Sequence, residues 1–302
     1  MSRLIKQGEE KHRSRLIKAI KTLPEQLEPY TTSPTTRGVF NSKAKIVCGN
    51  VSISSDDLDI DFDINFDDDL EPNEAEIVIY NLSSNTISQL KYHYSLSITA
   101  GFDNDTGVIF VGYIDKVSTT YEGADKITTI RCYDDISNKT LQETTYASNT
   151  KASYILKDLL GKTGLPIAVF KARRDWTYED EQKVDGSLYD NIKTYSEVCG
   201  VSTYVRGGKI YSRYIKDADD LYFTLSEDTG LIGSPTSFEE EITAEDYKDV
   251  VNGWECECLL QHRFAAGCSV NLKSLVANGK FRIMSGSHHF SQGEATSTIK
   301  MF

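Results

Sequence analysis

Along most of this chain apolar and polar residues alternate one for one, the period of a β-strand with one buried face. The clearest run is 57–67, where Leu58, Ile60, Phe62, Ile64 and Phe66 alternate with Asp57, Asp59, Asp61, Asp63, Asn65 and Asp67. One face of such a strand is apolar and the other almost wholly acidic. Between residues 73 and 114 the pattern predicts strand, short helix, strand, turn and strand. Ile77 and Ile79 belong to a β-branched run that ends at Asn81, and Ser83 or Ser84 offers a cap for a helical turn over 86–90. Leu96, Ile98 and Ala100 then alternate up to Gly101. Strands are expected at 75–80, 95–101, 107–118 and 126–133, with a hairpin turn at 121–125.

The period changes over residues 151–215. Ser153 precedes Ile155, Leu156, Leu159 and Leu160, a helix to be ended by Gly161 or Gly164 and followed by a strand at 166–170. Ser187 precedes Leu188, Ile192, Tyr195 and Val198, a second helix ended by Gly200. A hairpin follows around Gly207-Gly208. From residue 216 the β period returns, with strands expected at 221–225, 250–260, 267–273, 280–285 and 294–301 and a loop over 230–241.

Residues 1–28 carry Leu16, Ile20, Leu23 and Leu27 at helical spacing, and 29–38 form a polar linker rich in Pro and Thr. The chain therefore divides into a basic helix and linker (1–38), a first β-barrel (39–150), an α+β module (151–215) and a second β-barrel (216–302). The expected core of the first barrel is Ile77, Ile79, Leu96, Ile98, Val108, Phe110 and Ile114. That of the second is Val270, Leu272, Phe281, Ile283 and Ile299.

The two β regions share a plan. In the first, 96–100 leads through a turn at Asn104 and Gly107 to 108–111 and Gly112-Tyr113-Ile114; a turn at Gly123 and the strand Thr128-Thr129-Ile130 follow. In the second, 269–272 leads through Asn278 and Gly279 to 281–284 and Gly286-Ser287-His288; a turn at Gly293 and the strand 296–299 follow. Order and spacing match, which makes the chain a candidate for a duplicated barrel. Three copies of a duplicated chain would imitate a ring of six.

Composition agrees with a β-rich protein: 17 tyrosines stand against three methionines and six prolines. The net charge is −12 and unevenly spread. Arg3, Lys6, Lys11, Arg13, Arg15, Lys18 and Lys21 face only Glu9 and Glu10 in residues 1–21, so the remainder is more acidic than the total. An acidic body argues against specific nucleic-acid binding, which rests on clustered Lys and Arg. It suits a surface past which an acidic polymer slides. The basic helix fits docking on an acidic neighbour better than lying on a membrane, because its apolar stripe is thin. No stretch approaches the ~20 apolar residues of a membrane helix. Six scattered cysteines, Cys48, Cys132, Cys199, Cys256, Cys258 and Cys268, read as reduced thiols.

The chemical motifs favour plain readings. Asp59, Asp61 and Asp63 start like a calcium loop, but its sixth position is Ile64 and its twelfth Leu70. Gly161-Lys162-Thr163 ends like a phosphate-binding loop, yet it follows a helix and the earlier glycine is Leu156. Cys256, Cys258, His262 and Cys268 have poor zinc spacing, and alternation with Glu255 and Glu257 marks a strand buried on one face. Adjacent His288 and His289 point to opposite faces of a strand. Glu239-Glu240-Glu241 reads as a solvated loop. No catalytic motif stands out, so no cofactor, metal or catalytic residue is assigned.

Several words of the sequence resemble one family. NEAEIVIYNLS-x-x-T, the pair AGF and GVIFVGYIDKV, and DKITTIRCYD resemble the first barrel of the late-control-D-like baseplate hub proteins of contractile phage tails and phage-tail-like bacteriocins. YILKDLLGKTGL and SEVCGVSTYVRGGKIY resemble the family's middle domain, and TGLIGSP and GKFRIMSGSHHFSQGEATSTIKM its closing strands. The resemblance covers residues 39–302. It implies a mainly β fold of two tail-tube-like barrels flanking a small α+β module, and a homotrimer joining a hexameric tail tube to a trimeric central spike. The implied partners are tail tube protein, spike protein, tape-measure protein and other baseplate subunits, in a tail particle assembled in bacterial cytoplasm. Asp57, Asp59, Asp61, Asp63 and Asp67 would then face a lumen or a neighbouring ring. Leu16, Ile20, Leu23 and Leu27 would dock on an adjacent subunit. The rival readings are a tail-associated peptidoglycan hydrolase and a carbohydrate-binding module.

Overall fold

The computed structural model describes residues 41–134, 140–244, 247–291 and 293–302. The expected N-terminal helix, with Leu16, Ile20, Leu23 and Leu27, lies outside the described residues. The first β region comprises β1 Ser42–Cys48, β2 Val51–Ser54, β3 Ile60–Phe66, β4 Glu74–Tyr80, the one-turn helix α1 Ser84–Ile87, β5 Ser95–Phe102, β6 Asp105–Glu122 and β7 Asp125–Tyr133. A middle region follows with β8 Thr140–Tyr146, β9 Thr150–Lys151, α2 Ala152–Thr163, β10 Ile167–Phe170, β11 Thr177–Tyr178, β12 Gln182–Ser187, α3 Leu188–Cys199, β13 Ser202–Arg206 and β14 Lys209–Arg213. The last region holds β15 Asp219–Leu225, β16 Leu231–Ala244, β17 Tyr247–Leu259, β18 Cys268–Lys273, β19 Asn278–Ser291 and β20 Glu294–Met301.

The fold is mainly β. The two β regions are not held in separate sheets: hydrogen bonding runs without a break in the order β16-β17-β20-β19-β3-β4-β7-β6-β5-β1-β2, with β18 added to β19 and β15 parallel to β18. The seam between the regions is antiparallel pairing of β19 with β3, from Gly286 opposite Phe66 to Phe290 opposite Phe62. Each region keeps its own apolar core. Ile46, Ile60, Phe62, Ile77, Ile79, Leu96, Ile98 and Ile130 fill one. Leu225, Cys256, Phe264, Val270, Ile283, Ile299 and Met301 fill the other. Between them, α2 and α3 bury Ile155, Leu159, Leu188 and Ile192 against β13 and β14.

The duplication is present in the hydrogen bonds. The long strand β6 pairs first with β5 and then with β7; β19 likewise pairs first with β18 and then with β20. Placing Ile283 on Ile114 aligns three features together: the partners Met301 and Cys132, the irregularity just after each isoleucine, and the hairpin ends Ser291–Glu294 and Glu122–Asp125. The glycine-based alignment expected from sequence, Gly112 with Gly286, is therefore out of register. The structure sets Gly286 against Val117.

Other expectations are corrected locally. The acidic strand spans only Ile60–Phe66, so Asp57 and Asp59 precede it and Asp67 follows it. Val108 is 37% exposed, not core. An irregularity pairs Ile98 with Phe110 but Thr99 with Val108, which turns Val108 to the other face. Phe281 is half-buried at the rim of its core. Helix α2 starts at Ala152 with Lys151 as N-cap, and Asp175 rather than Ser153 supports that end, its Oδ1 accepting from the Ser153 amide at 3.1 Å. Gly161 lies inside the helix, and Gly164, with φ 81°, ends it. Ser187 and Gly200 cap α3 at its two ends as expected. The expected loop over 230–241 is the long strand β16, and the turn expected at Asn278-Gly279 lies earlier, between β18 and β19.

Buried polar junctions join the three regions. Arg282 of β19 pairs with Asp68, in the β3–β4 connection, and its Nε donates to the Asp217 carbonyl at 3.1 Å. The Asp68 carbonyl in turn accepts from the Ser202 hydroxyl of β13. Arg213 donates to the Tyr204 hydroxyl, Asp219 and the Gly267 carbonyl, while Arg206 reaches the same Asp219 at 2.5 Å. A Cβ on Gly267 would lie 1.8 Å from the Tyr204 hydroxyl, so glycine is required there. At the tip of the β5–β6 hairpin, Asp105 accepts from Arg263 at 2.6 and 2.8 Å and contacts His262 Nε2 at 3.1 Å.

Arg282→Met should cost ~3–5 kcal/mol in denaturant unfolding, because it strands a buried carboxylate. Pairing it with Asp68→Asn should recover part of that loss, whereas additive losses would deny the pair. The hydrogen bond from His262, and then Arg263, hold the Asp105 carboxyl well below the usual carboxylate range. A depressed folded pKa stabilises the fold fully above the unfolded value of about 4 and stops doing so as the pH falls toward the folded pKa. Acid titration should therefore destabilise the wild type more than Asp105→Asn below about pH 4.

Candidate functional interface

The site is a surface rather than a pocket. In an antiparallel ladder, residues directly opposite each other share a face, so the register traces one polar row across the seam. Thr296 lies opposite His289, His289 opposite Asp63, Asp63 opposite Glu76, Glu76 opposite Arg131 and Arg131 opposite Lys116. A second row runs from Glu257 through Thr298 and Ser287 to Asn65. Glu255 and Lys300 sit side by side on the same face. Eight strands, β16-β17-β20-β19-β3-β4-β7-β6, thus present one continuous polar face. The opposite face of the same strands is the apolar core.

Acidic groups outnumber basic ones along it, and two of the basic ones, Arg131 and His289, are tied to acidic neighbours. Arg131 contacts Glu74 at 3.2 Å and Glu76 at 3.1 Å, and His289 Nδ1 lies 2.7 Å from Asp63. Asp61 hydrogen-bonds Tyr80 and raises its phenol pKa. Among the expected residues, Asp61 and Asp63 are on this face. Asp57 and Asp59 are exposed ahead of β3. Asp67 is drawn into the next turn, where its amide donates to Asn73 and its carboxyl accepts from the Asp69 amide. Burial, with the neighbouring Asp69, pushes Asp67 up to about 7.

Residues the sequence reading did not single out for this face are Glu74, Glu76, Arg131, His289, Glu255, Glu257 and Lys300. The alternation in 74–80 and 254–258 marks Glu74, Glu76, Glu255 and Glu257 as outward-facing. Only the β3–β19 pairing unites them.

The chemistry elsewhere is structural. Every cysteine is buried and free, and burial holds Cys48 up at about 11 and Cys132 and Cys256 at about 12. His288 and His289 do point apart. His288 is enclosed between Ser297 Oγ at 2.8 Å and the Phe264 carbonyl at 3.2 Å, and burial lowers it to about 4. Among the described residues no group of three or more His, Cys, Asp or Glu could hold a metal ion. No described helix is long and apolar enough to cross a membrane. The recess between β6 and the middle region, lined by Tyr113, Asp134, Leu165 and Val205, offers one carboxylate, already bonded to Asn73 at 2.7 and 2.8 Å.

No family model and no curated protein matches the chain. Solved structures do. The tail protein from Neisseria meningitidis MC58 is similar at 10% identity, with TM-score 0.62, over 87% of this chain and 96% of that one. The 43 kDa tail protein of prophage MuSo2 from Shewanella oneidensis is similar at 9% identity, with TM-score 0.59, over 86% and 97%. The E. coli c3393 protein, a component of the type VI secretion system described as structurally similar to the bacteriophage T4 tail proteins gp27 and gp5, gives 10% identity and TM-score 0.59 over 85% and 76%. At these identities the likeness concerns the fold: this chain has the fold of phage-tail and type VI secretion tail proteins.

Proposed function

We propose that the protein is a structural, non-enzymatic hub subunit of a contractile tail baseplate, joining a tail tube to a central spike around a lumen. In this reading the chain is divided near residues 38, 150 and 215 into an N-terminal arm, a tube-like β unit, a middle module and a second tube-like β unit. Three chains assemble, and the N-terminal helix docks on an adjacent subunit. The observation that carries the proposal is the polar face shared by eight strands. A sheet with one apolar face packed inward and one charged face spanning both repeats suits the wall of a channel. Asp61, Asp63, Glu74, Glu76, Glu255 and Glu257 give that wall a mainly negative character, which repels a passing nucleic acid instead of holding it. The fold shared with tail proteins supports the same reading.

Sedimentation velocity should give a concentration-dependent trimer. A strictly monomeric protein that clears cell-wall suspensions, or that binds glycans as a monomer, would overturn the proposal. On the lumen, wild type should not retain duplex DNA at ~50 mM salt. The Asp61→Lys, Asp63→Lys, Glu76→Lys variant should bind it at least about tenfold more tightly and lose that binding as salt rises. Equal binding by both proteins would remove the wall from the account.

A further inference from the structure

The β3–β19 seam has a counterpart that is open in the single chain. In the duplicated plan β16, β17, β20 and β19 correspond to β3, β4, β7 and β6. Inside the chain, the distal half of β19 is covered on both sides, by β20 and by β3. Among the described residues the corresponding half of β6 pairs with β7 alone, and the strand corresponding to β3, β16, pairs with β17 alone. Among the described residues the eight-stranded face thus ends in two open strand edges, and each edge matches one half of a seam already made. Open edges of this kind are templates for strand addition.

We infer that the distal half of β6 in one copy pairs antiparallel with β16 of the next, repeating the internal seam. This deepens the hub reading and rests on it for the number of copies. The internal register fixes the external one. Met301 opposite Trp254 and Cys132 opposite Ala75 align β17 with β4. Glu255 opposite Thr236 and Glu76 opposite Asp63 then place Thr236 where Asp63 stands in the first repeat. His289 opposite Asp63 becomes Thr120 opposite Thr236. Continuing along both strands, Ser118 meets Phe238 and Lys116 meets Glu240.

Two independent observations agree with that register. Lys116 and Glu240 are both exposed, and the register sets opposite charges side by side on one face, a favourable cross-strand pair. Tyr121 occupies the position of Phe290. Phe290 is 4% exposed and stacks on Phe62 across the internal seam at 5.2 Å, whereas Tyr121, with β7 on one side and no described strand on the other, is 72% exposed. A large aromatic left open at the position where its counterpart is covered marks the missing strand. The contact is heterologous, since β6 and β16 are different strands, so it propagates head to tail and closes a ring when the rotation permits.

Cysteine cross-linking tests this directly, because the native cysteines are all buried. Thr120→Cys and Thr236→Cys in one chain should give, on oxidation, a covalent ladder ending at the closed oligomer. The single variants should cross-link when mixed and not alone. Lys116→Glu or Glu240→Lys alone should weaken self-association about tenfold, and the two together should restore it. An oligomer by sedimentation that neither cross-links nor responds to the charge swap would overturn this seam while leaving the hub reading in place. Cross-linking of Thr120→Cys with itself would also overturn it, by showing a two-fold contact. A protein that stays monomeric at every concentration would remove both.

Discussion

Between Phe62 and Phe66 the first β region is hydrogen-bonded to Phe290 and Gly286 near the end of the chain, across more than two hundred residues of sequence. That ladder turns two modest sheets into one, and the polar face depends on it. Without it, Asp61 and Asp63 would end one small charged surface, and Thr298, Lys300 and Glu255 would begin another. The contact is specified on both sides of the sheet. Phe62 stacks on Phe290 on the core side, and Asp63 meets His289 on the polar side. A slip of one residue would exchange the two faces, burying the aspartate and exposing the phenylalanine.

Polar junctions fix how the middle region sits against this sheet. Arg282, Arg213 and Arg206 are nearly buried, and each satisfies its charge across a boundary between regions. Paired buried charges of this kind add less to stability than an apolar contact of the same size, but they penalise misplacement severely. The stacked Tyr204 and Tyr211 rings, with Arg206 lying 3.9 Å over Tyr211, complete the joint at the loop around Gly267.

Much of the fold was legible in the chain because strand alternation and glycine-ended helices are local signals. Ile77, Ile79, Leu96, Ile98, Val270 and Ile299 are core residues for the reason their spacing indicated. What failed to show had non-local causes. Val108 turned outward because an irregularity opposite Thr99 changed the phase of β6, and no residue type marks that shift. The 230–241 stretch looked like a loop because Gly233, Ser234 and Pro235 break its pattern. The structure absorbs them as an irregularity between Ile232 and Thr236 in an edge strand, where proline is tolerated. The acidic strand was visible at once, but its setting was not. Its partners Glu76 and His289 come from a neighbouring strand and from a strand at the far end of the chain.

The central claim is that this shared polar face encloses an axial opening in a ring of identical chains. An electron-microscopy reconstruction of the assembled protein tests it most directly. The account requires a closed ring with three-fold symmetry, six similar β units around the opening, and Asp61, Asp63, Glu255 and Glu257 on the inner wall. A particle with no axial opening, or one that carries those carboxylates on its outer rim, would contradict it.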